Sequence, residues 1–299
     1  MNQAKKRSCL WLAVAICAAV LCGAVRLWQR NSAFEGSLNL PVPMAPASVI
    51  LLVLLAVSAV VMALLARKQP VAQEIAEKPE LALHAGNDML FLFAMVCSAF
   101  LTLVAAPVFF LDGRAHWVEY QTLKNAAFSD GSVPGGNNGV LMLAAGFTSV
   151  LGFFGLIMVT KAVRGGGKRG RMGILAPAVN SCLWLMELYR GHAAEPVRWN
   201  YAPLLVAVVA GIVLYLDFAG MLAGDAAPRR MLWFSGMTVV CSAVALAGEW
   251  DLSSALLLAA QVFTALAVLW CVPDNLRYPP EVPTEEPPAE EKLEEETHE

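Results

Sequence analysis

Long apolar runs broken by short polar stretches set the pattern of this chain. A helix needs about 20 apolar residues, within a range of about 17–25, to cross a hydrocarbon core. Eight runs come close to that length: residues 9–25, 47–66, 89–111, 139–163, 172–189, 201–223, 231–248 and 253–272. Within each run the apolar residues are continuous rather than alternating. That favours helices over a barrel, the two architectures that satisfy a backbone in lipid. The expected fold class is all-α, a polytopic transmembrane helical bundle of about eight spans over residues 1–272. The first run is short, and the fifth is the most polar. The first run also carries signs of a cleaved signal peptide, with Lys5-Lys6-Arg7 ahead of it and Cys22-Gly23-Ala24 as a loose cleavage site. Under either reading the second run enters from the outer side.

The connections have their own character. Arg30–Pro46 is an outer loop with prolines at 41, 43 and 46. Arg67–Asp88 is an inner loop expected to hold a short surface helix cut by Pro79. Asp112–Asn138 is the longest connection; Ala115–Phe128 is expected as an interfacial helix carrying Trp117 and Tyr120, with Ser129–Asn138 irregular.

Composition supports the same class. Of 299 residues, 58% are hydrophobic and 15% charged, against roughly 25% charged in a soluble domain. Mean hydropathy is +0.59. The last 27 residues, Pro273–Glu299, hold ten acids, two bases and six prolines. Such a segment buries too little to offset the entropy of ordering, so residues 273–299 are expected to form a disordered acidic tail. With the N-terminus inside, 15 of the 21 lysines and arginines fall on the inner side and six on the outer. That bias places both termini in the cytoplasm. Seven of the eight tryptophans then lie at span ends, where indole prefers to sit, and only Trp184 lies deep. The bases are scattered singly through loops, which argues against a nucleic-acid partner.

Few residues carry recognisable chemistry. The seven cysteines form no C-x-x-C pair, and the four histidines stand at no metal-ligand spacing. Residues 164–171, Arg-Gly-Gly-Gly-Lys-Arg-Gly-Arg, lack the Ser or Thr that follows Gly-Lys in a phosphate loop, and read as a topology-setting basic loop. Tyr215 and Asp217 with Gly224-Asp225 echo intramembrane aspartyl proteases, but both acids stand near one helix end rather than on two helices. Small residues at Ala207/Gly211, Gly220/Gly224 and Ala243/Ala247 favour close helix packing. No catalytic, cofactor-binding or metal-binding residue is assigned, and no cofactor is expected.

Intramembrane polarity remains. The fifth run holds Pro177, Asn180 and Glu187, the sixth Asp217, and the eighth Gln261. A carboxylate at the bilayer centre costs about 2.5–3.5 kcal/mol on insertion scales, and such groups usually face a bundle interior or cavity. Asn180, Glu187, Asp217 and Gln261 are therefore the candidate substrate or ion residues. The bland alternative is structural satisfaction, for example Glu187 with Arg190. Asn180 and Gln261 stand at similar depth, so both are expected inward, as a bonded pair or lining a shared cavity.

Pro177, Trp184, Tyr189-Arg190, Tyr215, Gly220 and Pro228-Arg229-Arg230 together resemble a group of uncharacterised bacterial multi-pass membrane proteins, over about residues 177–230. The resemblance implies a bacterial cytoplasmic membrane and brings no activity with it. Three functions follow as expectations: a non-enzymatic scaffold, sensor or accessory protein; a small-solute permease with its site at the fifth and sixth spans; and a lipid-acting membrane enzyme. The expected partners are the lipid bilayer and a membrane or cytoplasmic protein meeting the loops or tail.

Overall fold

Each apolar run of the sequence becomes a helix. The computed structural model describes residues 5–34, 42, 44–86, 88–130, 137–165, 172–192, 198–225, 227–248 and 250–280. Its helices are α1 (Lys5–Ser32), α2 (Pro46–Lys68), α3 (Gln73–Glu77), a 3-10 turn (Pro79–Leu83), α4 (Met89–Asp130), α5 (Gly139–Gly165), α6 (Leu175–His192), α7 (Arg198–Ala223), α8 (Pro228–Leu246) and α9 (Leu252–Asn275). Among the described residues there is no strand. Six helices, α1, α2, α4, α5, α7 and α9, are long and apolar enough to cross a membrane, the character of a multi-pass membrane protein.

The helices α6 and α8 have 18 and 19 residues, or about 27–28 Å at ~1.5 Å per residue. Their lower hydropathy has a visible cause. Asn180, Ser181 and Glu187 on α6, and Ser235, Thr238 and Ser242 on α8, are all buried inside the bundle.

Sequence chemistry sets the helix ends. Pro46 and Pro228 open α2 and α8, where a fixed φ suits the first turn and the missing N–H costs nothing. The Asp88 carboxylate caps α4 by accepting the Leu90 N–H at 3.0 Å. Gly224 ends α7 at φ +86°, and the Asp225 N–H turns back to the Gly220 carbonyl at 3.0 Å.

At the centre stands α9, packed on α1, α4, α7, α8 and the 3-10 turn. The helix α5 lies between α4 and α6, and glycines let all three approach closely. A Cβ at Gly152 would stand 3.2 Å from Thr102 on α4 and 3.6 Å from Pro177 on α6. One at Gly155 would overlap the Gly173 carbonyl oxygen, and one at Gly146 would crowd Phe110. This is small-residue packing of the kind membrane helices use, though on α5 rather than at the spaced pairs expected from sequence. Of those pairs, Ala207 and Gly211 do lie at an interface, whereas Gly224 serves as a turn.

One end of the bundle is stitched together by four chain segments. Ser8 donates to Asp274 at 2.6 Å, Gln69 to the Pro273 carbonyl at 2.5 Å, and Arg229 to the Gln69 carbonyl at 3.2 Å. Asn275 donates to the Ala82 and His84 carbonyls at 3.0 and 2.8 Å, and Trp270 to Asp88 at 2.9 Å. All seven cysteines are free thiols.

Two expectations need correction and one needs refinement. First, the third span and the interfacial helix expected at Ala115–Phe128 are one helix, α4. Nothing at Asp112-Gly113-Arg114 breaks it, because Gly113 is held against Met142 and Leu143 of α5. Second, the inner loop at 67–88 holds the expected short surface helix, α3, with Pro79 cutting it off, but only one face of it is at the surface. Ile75, Ala82 and Leu83 are fully buried, and the 3-10 turn that starts at Pro79 stoppers the bundle end against α7 and α9. Third, the boundary of the acidic tail moves: α9 continues through Pro273 to Asn275, and Leu276 is buried. Residues 281–299 lie outside the described residues, as do 166–171, 131–136 of the expected irregular segment, and 35–41 and 43 of the outer loop.

Candidate functional site

The polar side chains of four helices meet at one level of the bundle. On α6, Asn180 follows Pro177, which sits in the first turn where a proline is tolerated, and its carbonyl Oδ1 accepts from Thr148 at 2.9 Å and Ser149 at 3.1 Å, both on α5. The neighbouring Ser181 donates to the Pro177 carbonyl at 2.9 Å. It accepts from the Gln261 amide of α9 at 3.3 Å. On the other side of α9, Ser98 of α4 lies 2.7 Å from Thr264 and donates to the Ala260 carbonyl at 2.8 Å. The Tyr215 hydroxyl of α7 faces this Ser98–Thr264 pair. Further along α9, the Trp184 indole donates to Ser254 at 3.2 Å.

The result is a polar seam running from α5 through α6 and α9 to α4. Asn180 and Gln261 are each 2% exposed, and Ser98, Ser149, Thr264 and Tyr215 are equally enclosed. Both amides thus point inward. The direct bond between them is not formed: Ser181 stands between, and Thr148 and Ser149 take the Asn180 carbonyl instead. Hydroxyls on neighbouring helices were closer partners than the second amide. Gln261 also presses on α7, where a Cβ at Gly211 would overlap its amide. Its Oε1 has no partner among the described residues.

The two carboxylates stand apart from the seam. Asp217, on α7, is 2% exposed and is reached by Arg230, whose Nε and Nη2 donate to Oδ1 at 2.9 and 2.5 Å. The arginine is more than half exposed, so it extends from the bundle surface to a buried acid. A buried carboxylate is tolerable only with such a partner. Glu187 is buried on α6, near the opposite end from the Asp217–Arg230 pair.

No family model matches the chain, and no curated protein or solved structure matches it. Residue geometry is therefore the ground for a functional reading. Among the described residues, no three His, Cys, Asp or Glu side chains gather as a metal site. His116 lies 3.6 Å from Glu119 on the exposed arm of α4.

Sequence reasoning found both amides and missed the hydroxyls around them. Thr148 and Ser149 on α5 and Ser181 on α6 bond the amides, while Ser98 on α4 and Thr264 on α9 bond each other; none stands out in sequence because serine and threonine are common in membrane helices. A signal was present: each polar pair lies at a comparable depth in its own apolar run. Arg230 stands just before the seventh apolar run in sequence, and it reaches back to Asp217 because α8 begins at Pro228, about one turn from the end of α7.

Proposed function

We propose that this chain is a non-enzymatic multi-pass membrane protein that scaffolds, senses or assists other components. In this reading all eight long helices span, both termini are cytoplasmic, the membrane is the bacterial cytoplasmic membrane, and residues beyond 280 are a disordered acidic strip available to a protein partner. The reading is carried by the seam: the Asn180 carbonyl, Ser98, Ser181 and Thr264 spend their hydrogen-bonding capacity on neighbouring helices rather than on a passage. A solute path needs polar groups aimed into a hydrated space. Here they knit four helices together, and the 3-10 turn stoppers one end.

A second reading, a small-solute permease, draws on the buried Gln261 Oε1, which has no partner among the described residues. The third, a lipid-acting enzyme, requires clustered acid–base groups, whereas Asp217 is paired to Arg230 and Glu187 stands near the other end. Thiol accessibility separates the first two. Single cysteines at 180 and at 261, in a chain whose seven native cysteines are replaced, are exposed to a water-soluble methanethiosulfonate from each side. A sealed scaffold predicts no modification at either position, with full reaction of a control Lys124→Cys. Rapid modification from one side would establish a water path to mid-bundle and sink the scaffold reading.

A further inference from the structure

The helix α4 outruns the bundle. Its neighbour α5 begins at Gly139, where an added Cβ would overlap the Gly113 carbonyl and the Trp117 backbone. Past Trp117 the helix continues to Asp130, about 20 Å further at ~1.5 Å per residue. Gly113 also packs on Met142 and Leu143, so Gly113 and Trp117 mark the α5 side of this arm. The opposite side carries Leu111, Ala115, Val118 and Thr122, all exposed, with Leu111 at 69% and Val118 at 56%. At ~100° per residue these four fall within about 60° of one another around the helix axis. Their spacing of four, three and four residues is that of a coiled-coil seam, with Leu111 and Val118 at d and Ala115 and Thr122 at a.

We propose that this stripe is where two copies of the chain meet, their α4 arms side by side and parallel about a two-fold axis along the membrane normal. The flanking charges select a second copy as the occupant. Arg114 stands at g and Glu119 at the following e, the positions that face each other across a parallel seam. Each copy therefore supplies both halves of two symmetric ion pairs, Arg114 with Glu119 of the second copy and the reverse. An isologous interface requires that self-complementarity. Both side chains are exposed, Glu119 at 67%, and its approach to His116 at 3.6 Å leaves the carboxylate open to solvent. A helix that crosses the membrane points the same way in every copy, so two arms can meet only in parallel. Below Leu111 the same face continues through Phe100 and Phe93, 60% and 64% exposed, where acyl chains cover it. Beyond Leu111 no acyl chain reaches it. The seam is short, and confinement in the bilayer raises the effective concentration at which the arms meet. The inference rests on α4 crossing the membrane and is independent of the scaffold role and of whether α6 and α8 span.

The test uses the full chain in native membranes, its seven cysteines replaced, with one new cysteine on the stripe or opposite it. Oxidation by copper phenanthroline should link Val118→Cys into a dimer and leave Lys124→Cys, on the far side of the arm, largely monomeric. In the Val118→Cys background, Arg114→Glu alone or Glu119→Arg alone sets like charges across both pairs. Each should lower the dimer about fivefold, two exposed ion pairs being lost together. Co-expression of these two chains with different tags matches every introduced charge with its opposite, and the mixed dimer should return to the yield of Val118→Cys alone. All these positions are exposed on the arm outside the bundle, so folded yield should not change. Equal linking at Val118→Cys and Lys124→Cys would mean random collision and overturn the proposal. A dimer indifferent to both charge reversals would mean a different seam and overturn it as well. A disulfide-linked product containing a different protein would put another partner on the stripe, with the same consequence.

Discussion

Adding one methyl group at Gly211 tests the polar seam where it is tightest. A Cβ there overlaps the Gln261 amide, which is itself tied to Ser181 at 3.3 Å. Overpacking of a filled interior costs typically ~1–3 kcal/mol. The displaced amide also loses its bond to Ser181, worth about 0.6 and at most ~1.7 kcal/mol between membrane helices. Gly211→Ala should therefore destabilise by roughly 1.6–4.7 kcal/mol. The decisive variant is the double one. With Gln261→Ala already in place the side chain that Cβ would strike is gone, so Gly211→Ala should then cost less than ~0.5 kcal/mol, a coupling well outside additivity. Equilibrium unfolding by SDS in mixed micelles, followed by tryptophan fluorescence, measures all four corners of this cycle. If Gly211→Ala costs the same in both backgrounds, Gln261 does not point at α7 and the seam is wrongly assembled.

Other outcomes follow from the same contacts. Gly155→Ala drives a methyl into the Gly173 backbone carbonyl, which no rotamer change can relieve; a larger loss of folded yield than for Gly211→Ala is expected in detergent extracts. Arg230→Ala leaves the Asp217 carboxylate buried without its arginine, and should cost about 1–2 kcal/mol after allowance for the exposed arginine. Adding Asp217→Asn should recover most of it in the same unfolding assay. Truncation after Pro280 should leave thermal stability unchanged. Truncation after Val272 removes the Ser8–Asp274, Asn275–Ala82 and Asn275–His84 bonds and the buried Leu276, and should lower it clearly.

How far the sequence could be read depended on whether the determining contacts were local. Runs of apolar residues disclosed every long helix, because a continuous apolar stretch has one structural solution in lipid. They also explain why α6 and α8 are the faint ones: their inward serines, threonines and amides dilute the signal while serving the interior. The inward direction of Asn180 and Gln261 was legible, since a primary amide in lipid must find partners. Which partners was not, because Thr148 and Ser149 reach Asn180 across a helix interface set by the glycines of α5. Likewise nothing in Ile75, Ala82 or Leu83 alone says that a polar loop folds back under the bundle.

The central claim is that α6 and α8 cross the membrane with the six more apolar helices, for only then does the seam lie within the bilayer. Topology reporters fused after Gly167, Glu195, Ala226 and Trp250 bracket these two helices and α7. Eight spans with both termini inside predict cytoplasmic, external, cytoplasmic and external signals in that order. A cytoplasmic signal at Glu195 would leave α6 on the inner side of the membrane, and a cytoplasmic signal at Trp250 would do the same for α8. Either result would contradict the eight-span bundle and take the Asn180–Ser181–Gln261 seam out of the membrane interior.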